Sequence, residues 1–318
     1  MKTYSLKHDN SFFSRSFEIS GSKSESNRLL ILKSFYKNLE IKNVSDSDDS
    51  VVLKKNLNDL STHIDIGHAG TAMRFLTAFL SIQNNKEFEI TGSRRMKQRP
   101  IKILVDALNH LGADVVYKDK VGYPPLIIRG KKLSGKKISL SAEISSQYIS
   151  ALILIAPILE TGLSIHLEGS IASKPYLEMT LSILSKIGVN YEFNNNTINI
   201  EYLSEIDKTT INVESDWSSA SYFYSIVALS NKSELNIGSF YNSSMQGDKE
   251  LSNIYSKFGV ETEFLNDQGR IILKKINDFV LPKKINIDLT KYPDIAQTIA
   301  VTCFGLGISC DLYGLHTL

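Results

Sequence analysis

Three stretches of this chain end a helical apolar pattern in the same way, with an apolar residue, a glycine and a small or β-branched residue that leads into a strand-like run. They are LNHLGADVVY (Leu108 to Tyr117), LSKIGVNYEF (Leu184 to Phe193) and YSKFGVETEF (Tyr255 to Phe264). Their glycines, Gly112, Gly188 and Gly259, stand 76 and 71 residues apart. Glycine at a helix C-terminus supplies the left-handed turn that stops the helix, so the feature is structural. A second series marks helix starts: GTAMRFLTAFL from Gly70, SSQYISALILIA from Ser145, WSSASYFYSIVAL from Trp217 and DIAQTIAVTCF from Asp294, at steps of 75, 72 and 77. Strand-like FEITG, LSIHLEG and SELNIG lie between the two series. The repeating unit is therefore strand, helix, strand, helix, then one or more strands, over about 75 residues. A shorter copy begins at Ser24, with its second helix near DDSVVLKKNL. The last copy begins at Asp294 and predicts a second helix near position 324, past Leu318. On this spacing the sequence ends inside a repeat and is expected to be a shortened polypeptide.

The 318 residues suffice for about two domains with full cores. A chain 42% hydrophobic and 22% charged reads as soluble and globular. Net charge +2 and a pI of 8.3 lack the concentrated basic excess of a nucleic-acid binder, so anion binding has to be local. The N-terminal MKTYSLKHDN has no apolar core of signal-peptide length, and the longest fully apolar run, Ala151 to Leu159, is nine residues. Neither export nor a membrane span is expected, and the cytoplasm is the predicted location. Cys303 and Cys310 have no companions at zinc spacing and read as apolar fillers in a reducing compartment. The six histidines form no metal-binding set, so neither metal nor cofactor is expected.

Polar residues cluster where copies begin. GSKSESNR (Gly21 to Arg28) contains a capping box, Ser22-x-x-Glu25, which leaves Lys23 and Arg28 unexplained. Cations are disfavoured at the positive end of a helix unless an anion sits there as well. RRMKQRP (Arg94 to Pro100) carries four cations before a helix pinned by Pro100; a solvated basic loop and an anion site both fit it. SSQY (Ser145 to Tyr148) offers two hydroxyls and an amide at a helix start, as an ordinary cap or a phosphate seat. SKPY (Ser173 to Tyr176) reads as a helix-opening turn or as a hydroxyl, ammonium and phenol around a ligand. In YPDIA (Tyr292 to Ala296), Asp294 is either a cap or a partly desolvated acid or base. GHAGTAMR (Gly67 to Arg74) has two glycines that suit a tight turn or the close approach of a ligand to the backbone. The recurrence of such groups at equivalent helix starts favours anion binding.

GSKSESNR, GHAGTAMRFL, RRMKQRPI, SSQYISALILIAP, SKPYLEMTL, DWSSASYF, SMQGD and YPDIAQTIA, in this order and at these intervals, closely resemble the EPSP synthase (3-phosphoshikimate 1-carboxyvinyltransferase) family over essentially the whole chain. The resemblance implies an α/β (α+β) architecture, an inside-out α/β barrel of two domains, each built from three βαβαββ copies, with helix N-termini converging on a cleft. It places one domain at residues 20–214, complete, and the other at 1–19 plus 215–318, incomplete. It implies transfer of the enolpyruvyl group of phosphoenolpyruvate to the 5-hydroxyl of shikimate 3-phosphate, with release of phosphate and without a cofactor. By motif, Lys23 would contact both substrates, and Ser24 and Arg28 the shikimate carboxylate. Ser145, Ser146 and Ser173 would hold the 3-phosphate, with Gln147 and Tyr176 lining the ring and the reacting region. Arg95, Gly70 and His68 would receive phosphoenolpyruvate, and Asp294 would take the proton of the attacking hydroxyl. His68 stands where the family usually has Asn, which bears on sensitivity to an analogue such as glyphosate. The family's KETDR motif and later basic residues have no counterpart up to Leu318, so the 318-residue form is expected to be impaired or inactive. The family precedent is a monomer. Two other readings are a UDP-N-acetylglucosamine enolpyruvyl transferase, which shares the fold but typically uses a loop Cys, and a non-catalytic anion-binding fragment.

Overall fold

A computed structural model describes residues 5, 12–133, 137–142, 145–169, 171 and 174–315. In chain order it runs β1 (Phe13–Phe17), α1 (Lys23–Phe35), β2 (Leu39–Lys42), α2 (Asp48–Asn58), β3 (His63–Asp65), α3 (Gly70–Ser81), β4 (Glu87–Thr91), α4 (Lys102–His110), β5 (Asp114–Tyr117) and β6 (Leu126–Arg129). It continues through β7 (Lys137–Ser141), α5 (Ser146–Ile155), β8 (Leu163–Glu168), α6 (Lys174–Lys186), β9 (Tyr191–Asn194), β10 (Thr197–Ile200) and β11 (Thr209–Asn212). Last come α7 (Trp217–Leu229), β12 (Ser233–Gly238), α8 (Leu251–Ser256), β13 (Val260–Leu265), β14 (Arg270–Lys275), β15 (Lys284–Asp288), α9 (Ala296–Leu306) and β16 (Ser309–Tyr313).

The chain divides into two compact units, Ser20–Val213 and a discontinuous one made of the described residues up to Ile19 together with those from Glu214. The repeat is visible in the sheets. Strand orders β3-β4-β6-β5, β7-β8-β10-β9 and β1-β12-β14-β13 are the same topology three times. In each, the first two strands pair in parallel and the last two are antiparallel neighbours. A parallel pair needs a crossover; α3 and α5 supply it in the first two sheets, and between β1 and β12 the chain runs through the whole Ser20–Val213 unit and then α7. In the shortest copy, β2 pairs in parallel with β11 from the far end of its unit, and likewise β1 completes the sheet of the discontinuous unit.

Strands such as β7 and β15 alternate exposed and buried residues, so each sheet turns one face to water. Of the helices behind them, α1, α3 and α5 are largely interior. All twelve residues of α3 are buried, as a helix that is apolar on nearly every side demands. In the Ser20–Val213 unit α1, α3 and α5 thus form an inner layer behind the sheets. The three terminating glycines have φ of +98°, +90° and +75°, the left-handed values expected at these helix ends. Separate clusters of buried side chains fill the two units, one around Leu29, Phe75 and Leu152, the other around Trp217, Tyr224 and Tyr255.

Candidate active site

In the Ser20–Val213 unit, α1, α3 and α5 lie side by side with their first turns at one end. Arg28, in the second turn of α1, fixes that register. Its Nε donates to Thr180 Oγ1 on α6 at 2.7 Å and its Nη2 to Ser150 Oγ on α5 at 3.1 Å, while its guanidinium lies 5.6 Å from the Phe75 ring on α3. Nη2 also reaches the Tyr176 carbonyl at 3.3 Å, and Nη1 the Ser24 carbonyl at 2.7 Å. Arg28 is 2% exposed, and burial brings it down to about 10, against the opposing pull of Tyr176 and Glu25. Four of its five N–H groups are held by described residues, and the second hydrogen of Nη1 meets no acceptor among them.

A second basic cluster surrounds the start of α3. A β-carbon on Gly70 would run into the Arg99 guanidinium and lie 3.3 Å from Arg74 Nη1, so the missing side chain makes room for these cations at a helix N-terminus. Arg74 donates from Nη1 to the Gly70 carbonyl at 3.0 Å, and it lies 5.7 Å from the Tyr148 ring. Its buried Nε meets no acceptor among the described residues. Arg99 is held below its ordinary value by partial burial first and by Arg74 next, with Arg95 acting in the same direction and Tyr148 and Asp49 against it. Asp49 Oδ1 accepts from Thr71 N at 3.0 Å and caps α3 from the neighbouring helix. Tyr148 donates to the Pro100 carbonyl at 2.5 Å, tying α5 to the loop that carries Arg95 and Arg99.

The other sequence-predicted residues fall at these helix starts as follows. Lys23 opens α1, and Ser22 accepts from Glu25 N at 3.4 Å, one half of the capping box. Ser24 and Tyr176 are half-buried. Ser145 caps α5 by accepting from Gln147 N at 3.4 Å; Ser146 is buried and Gln147 half-buried. Lys174 opens α6, and Ser173 lies outside the described residues. His68 is exposed, its Nε2 lying 3.2 Å from Asp48 Oδ2. Arg95 is exposed beside the basic cluster.

In the discontinuous unit, Asp294 lies in a short 3-10 turn, Pro293–Ile295, ahead of α9. It is exposed. DWSSASYF and SMQGD meet in a buried network. Glu214 accepts from Trp217 Nε1 at 2.9 Å, Tyr241 N at 3.0 Å, Ser244 Oγ at 2.5 Å and Gln246 Nε2 at 3.3 Å. Gln246 also holds Trp217 N at 3.0 Å and the Ser215 carbonyl at 2.8 Å. These motifs secure the start of α7.

Arg74, Arg99, Asp49 and Thr71 escaped the reading of the sequence as site residues. Arg74 and Arg99 lie in stretches already marked as basic or glycine-rich, but only the packing of α3 shows which cations face Gly70. Among the described residues no three His, Cys, Asp or Glu side chains gather as a metal site, and no helix is long and apolar enough to cross a membrane.

A family model described as EPSP synthase (3-phosphoshikimate 1-carboxyvinyltransferase) matches residues 35–309. The 3-phosphoshikimate 1-carboxyvinyltransferase of Bacteroides fragilis strain YCH46 is 40% identical over 302 residues, covering 95% of this chain and 72% of that protein. Its namesake in Colwellia psychrerythraea is 34% identical over 313 residues, covering 89% and 71%. A solved EPSP synthase from Acinetobacter baumannii superposes with a TM-score of 0.72 over 92% of this chain and 71% of that one; at 19% identity this bears on fold alone.

Proposed function

The chain belongs to the EPSP synthase family, and from that premise we propose that it joins the enolpyruvyl group of phosphoenolpyruvate to the 5-hydroxyl of shikimate 3-phosphate and releases phosphate. The observation that carries the reading is the guanidinium of Arg99 laid over Gly70, with Arg74 and Arg95 beside it. Guanidinium groups suit the paired oxygens of phosphate and carboxylate, and phosphoenolpyruvate carries both.

Phosphoenolpyruvate is assigned to Gly70, Arg95, Arg99 and His68, with Lys23 and Gln147 reaching it from α1 and α5. Shikimate 3-phosphate is assigned to Ser145, Ser146 and Ser173 through its phosphate, to Ser24 and the remaining Nη1 hydrogen of Arg28 through its carboxylate, and to Gln147 and Tyr176 along its ring. Asp294 accepts the proton of the 5-hydroxyl as that oxygen bonds to C2 of phosphoenolpyruvate and a proton joins C3. Loss of phosphate from C2 and of a proton from C3 restores the double bond. A base of this kind contributes about 10² to 10⁴ in rate. Fixed cations lower the barrier by holding the phosphate as it departs. The acting species is read as a monomer in the cytoplasm.

The test is titration calorimetry with shikimate 3-phosphate, shikimate and glucose 6-phosphate, alongside phosphate release from phosphoenolpyruvate. Binding of shikimate 3-phosphate at least tenfold tighter than glucose 6-phosphate, weakened by Ser145→Ala, is the expected result. Equal affinity for the two phosphates would leave a generic anion binder and overturn the assignment.

A further inference from the structure

Tyr148 is the one residue of SSQY to which no ligand is assigned, yet it is only 7% exposed and lies in the first turn of α5. A phenol buried to that degree needs a partner for its hydroxyl. The partner lies outside α5: the proton goes to the Pro100 carbonyl, 48 positions earlier in the chain. The local sequence shows what this bond secures. The Arg99 amide donates to the Met96 carbonyl at 3.0 Å and the Ile101 amide to the Gly122 carbonyl at 2.9 Å, but Pro100 between them brings no N–H. Arg99 itself is extended, with φ −90° and ψ 125°, the conformation that a following proline favours. The Pro100 carbonyl receives Tyr148 from α5 at 2.5 Å and Arg74 Nη2 from α3 at 3.5 Å. The phenol is the shorter and stronger of these two holds on the segment that carries Arg99.

The guanidinium of that residue has little latitude. A β-carbon on Gly70 would run into Arg99 Nη1 and lie 3.1 Å from its Cζ, so the charged fork rests on the opening turn of α3. Arg74 and Arg95 repel it there, against the pull of Tyr148 and Asp49. How well the fork is placed therefore depends on the backbone that carries it. An anion seat works only while its donors stay within about 0.5 Å of their productive positions.

We propose that Tyr148 is a positioning residue for the anion seat at Gly70: through the Pro100 carbonyl its hydroxyl sets the Arg99 guanidinium over the N-terminus of α3, and it touches no substrate itself. The consequence for affinity rests on the assignment of phosphoenolpyruvate to Gly70 and Arg99. The consequence for the Arg99 side chain does not.

Tyr148→Phe removes one oxygen and keeps the ring that lies 5.7 Å from the Arg74 guanidinium. In the full 318-residue chain, the NMR resonance of the Arg99 Nε–H is identified by its loss in Arg99→Gln. Tyr148→Phe is expected to shift and broaden that signal, while the Nε–H of Arg28, held by Thr180, stays in place. In calorimetry with phosphoenolpyruvate, Tyr148→Phe and Arg99→Gln each weaken binding by about fivefold or more. The double variant is no weaker than Arg99→Gln alone, since a hydroxyl that acts through Arg99 has nothing left to position. Affinity for shikimate 3-phosphate is unchanged by Tyr148→Phe. An Arg99 signal indifferent to Tyr148→Phe overturns the proposal, as do losses that add in the double variant. Movement of the Arg28 signal together with that of Arg99 overturns it too, since that is general loosening of the helix layer. If the Arg99 signal alone moves but Arg99→Gln leaves phosphoenolpyruvate binding intact, the positioning stands and the ligand assignment falls.

Discussion

Thr180 Oγ1 accepts the Nε proton of Arg28 at 2.7 Å, and the same hydroxyl donates to the Tyr176 carbonyl at 2.8 Å. One threonine on α6 thus satisfies a buried cation on α1 and closes a bond within its own helix. Thr180→Val keeps the shape but strands the Nε–H in the interior. The expected loss is about 1–3 kcal/mol in urea unfolding, since an unsatisfied buried donor costs more than a hydrogen bond contributes. Ser150→Ala likewise strands one Nη2 hydrogen, since the other is the one held by the Tyr176 carbonyl, and a loss in the same range is expected.

Gly70→Ala separates binding from stability. The methyl displaces the Arg99 guanidinium, a flexible group that moves aside, and alanine favours the helix by up to about 1 kcal/mol. Stability is expected to change by less than that. Affinity for phosphoenolpyruvate falls about tenfold, equivalent to roughly 1.4 kcal/mol, while shikimate 3-phosphate alone binds as before. Calorimetry with each ligand separately reads the difference, and unaltered phosphoenolpyruvate binding would remove Gly70 from the anion seat.

Glu214 sets a pH dependence in the discontinuous unit. Burial raises its carboxyl above the ordinary 4.5, although Ser244, Trp217, the Tyr241 amide and Gln246 all pull it down. The folded state therefore keeps a proton that the unfolded chain has released. That contribution to stability is complete below about pH 4.5 and is lost as pH rises through the folded value. Glu214→Gln flattens this decline, and urea midpoints from Trp217 fluorescence between about pH 4 and 7 would show it. A slope identical to the parent's would mean that the carboxyl does not titrate in this window.

The His68–Asp48 contact of 3.2 Å joins side chains that are 73% and 78% exposed. An exposed pair contributes at most about 1 kcal/mol and is screened by salt. His68→Asn is therefore expected to shift the thermal midpoint by no more than a few degrees, and any change in phosphoenolpyruvate affinity reflects the site itself. A larger drop in melting temperature would assign His68 to the scaffold.

The repeat was legible because its markers are local. A glycine that ends a helix and a hydroxyl that caps one act within a few residues, so Gly112, Gly188, Gly259 and Ser145 announced their elements. The pairing of β2 with β11 and of β1 with β12 was not, since nothing near either strand names a partner so far along the chain. Site chemistry divided the same way. Lys23, Gly70 and Arg95 stood out as types at helix starts, but Arg28 proved to be held largely by Thr180, Ser150 and two backbone carbonyls. Arg99, passed over within RRMKQRP, became visible only through the space that Gly70 leaves. A linear reading counts cations without showing where they point.

Pairing between Phe13 and Ser233 bears on how the polypeptide is made. During synthesis at about 5–20 residues per second, β1 emerges roughly ten to forty seconds before its neighbour β12. Throughout that interval the intervening 194-residue unit, Ser20–Val213, can close on its own sheets, while β1 trails outside it as a bare edge. A nascent chain that has released residues up to Val213 but not yet β12 therefore holds one finished body and one waiting strand, whose unpaired backbone is a template for pairing with another chain.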